Sequence, residues 1–413
     1  MHNWVIKTLG DYVNNGEITI QTGPFGTQLK ASDYVDSGIP VINVRNIGEG
    51  TIIDDNLEYI TTETVSRLSS HVLETHDIVF GRKGAVDRHA FIQNRHAGWF
   101  QGSDCIRVRI KSPELLPRYV SYYLLLPSHK AWMINNCSHG ATMASLNQDI
   151  IKRIALPVPD LKTQEKMISV ISTYDDLINN NNRRSAVLRE MAQRLYREWF
   201  LYFRFPGHEK IELMESELGM IPEGWGVKRF DQIAKFRKGK KAAVMFSENY
   251  GEYVKNILLD AVSSENYSFV LAEKMVLVEP TDTIMVMDGA SSGKVIIGED
   301  GAVGSTLAKI ETSCEYKLFL YMVLANAEKE IMDNNTGSAI PHANKDFINM
   351  LKLIIPDSTL LKNFNSIVQP LFIEMRTLRY KNANLRKTRD LLLPRLVSGD
   401  IDISNSDILV REE

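Results

Sequence analysis

The side chains best suited to chemistry in this sequence are cations and amides set on short loops. Arg45 and Asn46 come first, then Arg82, Lys83, Arg88 and His89. After residue 230 follow Arg237, Lys238, Lys240 and Lys241, and then Ser291, Ser292 and Lys294. Arginine offers a planar fork to guanine O6 and N7, asparagine a donor and acceptor to adenine, and lysine a point charge to phosphate. Together these groups suit the holding of a polyanion and the reading of base edges. A solvated surface charge is the plainer reading of each residue taken singly. The groups gain weight because the loop at 82–89 and the loop at 288–294 fall at aligned positions of a repeat.

Bond-making chemistry has no such support. Asp288-Gly-Ala-Ser-Ser-Gly-Lys-Val295 has the look of a phosphate loop, but its first glycine is one residue too close. Val295 also stands where a magnesium-holding Ser or Thr is needed. No Asn/Asp-Pro-Pro-aromatic tetrapeptide of an adenine methyltransferase occurs, and no His/Cys cluster suggests a metal. No residue is therefore assigned a catalytic role and none a metal. With 48 Lys and Arg against 51 Asp and Glu, no global basic field draws the chain to nucleic acid, so contact must come from local patches. Cys105, Cys137 and Cys314 are odd in number and far apart, which fits a reducing cytosol better than a disulfide framework. No apolar run approaches the roughly 18 residues of a membrane span, and Met1–Tyr12 lacks the layout of a signal peptide.

The elements that must carry these loops repeat. Asp160 and Asp357 lie 197 positions apart, and at that offset Ile178 meets Met375, Leu188 meets Leu385, Arg189 meets Arg386 and Leu195 meets Leu392. Both copies have a seven-residue apolar rhythm. In the first the rows are Ile171, Ile178, Ser185, Ala192 and Tyr174, Asn181, Leu188, Leu195. In the second they are Val368, Met375, Asn382, Arg389 and Leu371, Leu378, Leu385, Leu392. Apolar residues three and four apart make the seam of a coiled coil, and two such stripes in one chain most simply bury each other. Two long helices packed together are expected. The run Asn179–Asn182 is a poor helix former and marks a place for a local irregularity.

At 413 residues two or more domains are the prior. Residues 1–158 read as a first globular unit: Thr/Ile alternation into Gly23-Pro-Phe-Gly26, a strand at Ile39–Ile47, and a strand–loop–strand from Asp77 to Ile92. A helical stretch follows from Leu115 to Met133 with Pro117 at its start, then a short helix and a strand ended by Pro157 and Pro159. The first long helix occupies 159–205, broken at Pro206-Gly207, and 206–221 is polar linker. Residues 222–356 repeat the plan, with Asp282–Ile297 aligned on Asp77–Ile92 at an offset of 205. Thr336–Asp357 aligns on His139–Asp160 at 197, pairing Gly140 with Gly337 and Asn147 with Asn344. Helix capping explains both asparagines. The second long helix and a tail fill 357–413. A chain of domain, helix, domain, helix is a duplication of about 200 residues.

Arg189–Gly207 (REMAQRLYREWFLYFRFPG), Glu215–Trp225 (ESELGMIPEGW), Leu391–Ile403 (LLLPRLVSGDIDI), the Gly-Pro-Phe-Gly turn and the apolar-Pro ending before each helix carry a resemblance that covers essentially the whole chain. It resembles the specificity (S) subunit of type I restriction–modification systems. The resemblance implies an α+β fold with an internal pseudo-two-fold repeat. Two target recognition domains would be held apart by two antiparallel helices, each reading one half of a split double-stranded DNA site. It implies as partners two methyltransferase subunits, which bring S-adenosylmethionine, and motor-nuclease subunits, which bring ATP and magnesium; no cofactor is expected on this chain. The methyltransferase subunits of the family dock around the helices, which offer Arg183, Arg184, Arg189, Arg194 and Arg197.

A helix of about 40 residues is roughly 60 Å long, and a stiff spacer of that scale fixes a gap between grooves about 34–36 Å apart. Unlike loops on related domains predict an asymmetric target. The aromatic cluster Trp199, Phe200, Tyr202, Phe203, Phe205 is expected as core where a helix end docks on its domain. The rival readings are a fused enzyme, disfavoured by the missing motifs, and a scaffold that binds proteins, favoured only by the lack of positive charge. A cytoplasmic location and self-association of the isolated subunit complete the expectations.

Overall fold

Asp160 and Asp357, the landmarks of the repeat, are the residues that start the two long helices. Asp160 Oδ1 accepts the N–H of Thr163 at 2.9 Å, and Asp357 Oδ1 accepts those of Thr359 at 2.9 Å and Leu360 at 3.0 Å. Each carboxylate satisfies N–H groups that have no partner within the helix. A computed structural model describes residues 4–26, 28–137, 144–249 and 251–403. The helices run Leu161–Tyr196 and Ser358–Val397. The first passes through Asn179–Asn182 without a break. Its irregularity falls instead at a single π-helical turn, Arg197–Leu201, after which Phe203 and Gly207 adopt positive φ. Among the described residues no helix is long and apolar enough to cross a membrane.

The chain forms two units, one of 1–177 with 385–413 and one of 178–384, so each long helix contributes a part to both. In the first, Ile18–Thr22, Cys105–Ile110, Ile78–Gly81 and His89–Phe91 make an antiparallel sheet in that spatial order. Tyr34–Val35, Glu58–Ile60, Ile39–Ile42 and Phe100–Gln101 make a second sheet whose last pairing is parallel. The strand Ile78–Gly81 is buried on both faces, because successive side chains alternate. Ile78 and Phe80 join the core shared with helices Pro117–Leu124 and Pro127–Cys137, with Ile171 and with Leu393 and Leu396. Val79 joins Ile42, Ala90 and Cys105 between the sheets. The helical stretch expected at 115–133 is thus two helices, with Pro127 opening the second. Ser138–Met143, including Gly140 of the aligned pair, lie outside the described residues, as does the tail from Ser404 onward.

The second unit repeats the order of the first sheet. Ala234–Lys238, Leu307–Thr312, Thr283–Val286 and Val295–Ile296 form one sheet; Phe269–Leu271, Tyr253–Ile257, Gly301–Val303 and Leu277–Val278 form the other, again with one parallel pairing. Met285 faces the helical core and Ile284 and Val286 face between the sheets. The stretch expected as linker carries an antiparallel hairpin, Leu213–Ser216 with Gly219–Pro222. Trp199, Phe200 and Phe205 sit in the core of this unit with Trp225, Phe319 and Phe364, while Tyr202 is exposed.

Within this unit the helices run antiparallel, since Asn181 bonds Asn382 while Arg184, further along, pairs with Glu374. Val368, Leu371, Met375 and Leu195 share its core, and Ile178 and Leu378 are buried. Tyr174, Leu188, Leu385 and Leu392 are half-buried. In the first unit Arg389, a polar break in its row, is explained by Asp175, whose carboxylate accepts from Arg389 at 2.7 Å and from Tyr122 at 2.8 Å.

Candidate nucleic-acid interface

One end of each unit is built from loops that leave the buried sheet. In the first unit Gly23 and Gly102 come so close that a Cβ on Gly23 would lie 2.0 Å from Gly102 O. The N–H of Gly23 donates to Cys105 O at 2.8 Å, and that of Gly102 to Ile42 O at 2.9 Å. Arg82 N–H donates to Asp104 O, and Leu146 N–H to Arg82 O, both at 2.8 Å. These bonds gather the loop at 82–85 with residues 23–25, 102–104 and 144–146.

The second unit makes the same four bonds. Gly239 donates to Leu307 O at 2.9 Å, Gly304 to Ile257 O at 2.9 Å, Met287 to Thr306 O at 2.8 Å and Ala343 to Met287 O at 2.9 Å. A Cβ on Gly239 would meet Gly304 O at 2.2 Å. The expected helix caps are in place behind these loops: Asn147 accepts from Ile150 N and Asn344 from Phe347 N.

On this shared frame the side chains differ. The Arg82 guanidinium lies 5.0 Å from the ring of Phe25, an exposed aromatic of the Gly-Pro-Phe-Gly turn. Stacking on a ring fixes the plane of the guanidinium while leaving its donors free to bind. Lys83 pairs with Asp104 at 3.4 Å, and Arg45 with Glu58 at 3.0 Å, with both cations about half exposed. Arg88 is exposed and has no ion pair among the described residues. In the second unit Met287, buried, stands where Arg82 does, and Asp288 stands where Lys83 does. Asp288 is held by His342 Nδ1 at 2.8 Å and Lys238 Nζ at 3.3 Å. Burial opposes its charge, but those two bonds outweigh it and hold its carboxyl below the usual range. Lys240, Lys241 and Lys294 are exposed without ion pairs among the described residues, and Ser291 is half-buried.

Three sequence expectations need correction. Asn46 is 0% exposed, and its amide donates to Ile53 O and Asp55 O, so it folds its own loop and is closed to DNA. His89 is 1% exposed on the end strand of the first sheet, with Nε2 at 2.8 Å from Ser121 Oγ. Burial first, and then neighbouring His129, push its pKa down to about 3. Ser292 is 0% exposed, its hydroxyl lying 2.7 Å from Gly289 O and 2.9 Å from Pro341 O, which tightens the loop from within. Arg237 and Lys238 are exposed and paired with Glu311 at 2.7 Å and Asp288 at 3.3 Å, as Arg45 and Lys83 are with their own acids, so these surface pairs leave them open to phosphate. Phe25 and His342 went unassigned because their roles depend on loops distant in sequence. The two close Gly–Gly contacts were legible only as turn signals.

Among the described residues no group of His, Cys, Asp and Glu is placed to hold a metal. The arrangement offers differently furnished loop ends suited to duplex edges and phosphates.

Comparison with known proteins agrees with this geometry. A family model for the type I restriction modification DNA specificity domain matches residues 1–190 and 222–363. The chain is 26% identical to the type I restriction enzyme MjaIX specificity subunit of Methanocaldococcus jannaschii, over 97% of this chain and 94% of that one. It is 20% identical to the HindI specificity subunit of Haemophilus influenzae, over 87% of this chain and 94% of its relative. Its fold is similar to the crystal structure of the type I system S subunit from M. genitalium, with a TM-score of 0.59 over 96% of both chains at 16% identity.

Proposed function

The chain belongs to the family of type I restriction–modification DNA specificity subunits, and from that premise we propose that each of its two units reads one part of a split, asymmetric target in duplex DNA. It is the DNA-recognition component of such a system and is not itself an enzyme. The observation that carries the asymmetric reading is the repeated frame with unlike side chains. Four matching backbone bonds hold Arg82 and Lys83 in one unit, and Met287 and Asp288 in the other. A shared docking geometry with different donors and acceptors reads different bases.

In this reading Arg82, Lys83, Arg88 and Arg45 serve the first half-site. Lys240, Lys241, Lys294 and Ser291 serve the second, with the lysines on phosphate. The paired helices set the gap between the halves. Two methyltransferase subunits carrying S-adenosylmethionine, and motor-nuclease subunits using ATP and magnesium, supply the chemistry in the cytoplasm. A genome-wide map of methylated adenines, with and without this gene in its host, tests the proposal. The expected result is loss of one split motif with unlike halves and a fixed gap. Identical maps, or a lost motif that is palindromic or continuous, overturn it.

A further inference from the structure

The two helical rows contain one buried amide layer. Asn181 Nδ2 donates to Asn382 Oδ1 at 2.8 Å. Asn382 Nδ2 donates to Asn182 Oδ1 at 2.8 Å and lies 3.4 Å from Ile178 O. Asn181 is 8% exposed and Asn382 3%, beside buried Ile178 and Leu378. An amide pair in an apolar seam costs stability relative to leucine, and what it gains is choice of register and partner. The antiparallel register it sets places Leu188 opposite Met375 one heptad away, and Leu195 opposite Val368 two heptads away; Leu195, Val368 and Met375 lie in one core.

The sequence repeat makes partner choice a real problem. Each long helix is related to the other by 197 positions, so each has the apolar rows to pair with its own copy in a second chain. Under the repeat, the mate of the Asn181–Asn382 layer is Ser185 opposite Leu378, so the amide layer is absent from the symmetric position. If two second helices paired in the same register, Asn382 would face Leu378 of the other copy, twice per dimer, and its amide would be buried without a partner. If two first helices paired, Asn181 would face Ser185 of the other copy. Only the first helix against the second satisfies both amides.

We propose that the Asn181–Asn382 pair is a partner-selecting element, favouring the pairing of the two unlike helices over the pairing of two like helices from two copies of this chain. Asn182, which accepts from Asn382, belongs to the same layer. This inference concerns chain pairing and is independent of how the loops read DNA.

The test uses the full chain with the exposed Cys314 replaced by serine, Cys105 and Cys137 being buried. Leu188→Cys with Met375→Cys reports pairing of unlike helices. Met375→Cys with Leu385→Cys, on one helix, reports pairing of two second helices between chains. In the parental chain the first reporter closes within one chain and the second yields no linked dimer. Asn382→Leu, and Asn181→Leu/Asn382→Leu, raise linked dimer through the second reporter by about tenfold or more, the effect of removing a buried unpaired amide from the competing state. The double variant leaves neither of the paired amides in the seam, so it carries the test if the single one does not fold; circular dichroism checks both. Unchanged dimer in the folded variants overturns the proposal. So does linked dimer through the second reporter in the parental chain, because the layer would then hold unlike helices together without choosing them.

Discussion

Arg82 and Met287 hold the same place in two copies of one backbone frame, each donating its N–H at 2.8 Å to a carbonyl of the neighbouring loop, Asp104 O in one unit and Thr306 O in the other. One is a stacked cation above Phe25 and the other a buried apolar side chain. A bidentate arginine–guanine contact is worth about 1–3 kcal/mol of discrimination. Arg82→Ala is therefore expected to relax one position of the first half-site and to leave the second half-site unchanged. Methylation motifs mapped for the variant complex check this. A uniform drop in methylation with an unaltered motif would make Arg82 a phosphate contact instead.

Lys240, Lys241 and Lys294 differ from Arg82 in kind, being exposed and held by no ion pair among the described residues. Their alanine variants are expected to weaken binding of the assembled complex to every duplex alike. Each lost phosphate contact lowers the magnitude of the slope of log affinity against log salt by about 0.9. Titration of one duplex at several salt concentrations, and of a scrambled duplex alongside, measures both effects.

Gly23 and Gly239 need no special φ, and what forbids a side chain there is the opposing carbonyl. Gly239→Ala is expected to force the strand ends apart in the second unit, at a cost of about 1–3 kcal/mol for such overpacking. Recognition of the second half-site should fail while that of the first persists. Gly23→Ala should do the converse. Half-site footprinting, with denaturation of each variant, separates this from general unfolding.

The architecture was legible because a duplication writes the same constraints twice: Asp160 and Asp357 as caps, Asn147 and Asn344 as caps, and two heptad rows at one offset. The site was legible as loops and only partly as residues. Arg82 and Lys83 project from the tip, but Asn46, His89 and Ser292 share the composition of a reading residue and are buried as scaffold. Side-chain type cannot distinguish an amide that reads a base from one that closes its own turn, because the deciding carbonyls, Ile53 O and Asp55 O for Asn46, depend on the path of the loop. The polar breaks Asn181, Asn382 and Arg389 likewise weaken the apparent coiled coil until Asn382 is paired with Asn181 and Arg389 with Asp175.

Buried histidines give the first unit a distinct response to acid. Burial pushes His89 down to about 3 and His129 to about 4, against about 6.5 in an unfolded chain. Both are neutral in the fold, and the unfolded chain binds the protons as pH falls. Their contribution is therefore complete above about pH 6.5 and is lost as pH drops toward the folded values, by up to about 1.4 kcal/mol per pH unit for each histidine. In the second unit the buried Asp282 behaves otherwise. Burial alone would raise its pKa, but hydrogen bonds from Lys309 and Lys317 outweigh that and lower it, so its contribution is lost only below about pH 4. Hydrogen exchange at pH 7 and pH 5, corrected for intrinsic rates, should show protection falling in the strands Ile78–Gly81 and His89–Phe91 and holding in Thr283–Val286. His89→Gln, which keeps a polar group facing Ser121 and cannot titrate, should make the response of the first unit shallower, with His129 still contributing. An equal loss in both units, or a response in His89→Gln as steep as in the parent, would place the acid sensitivity elsewhere.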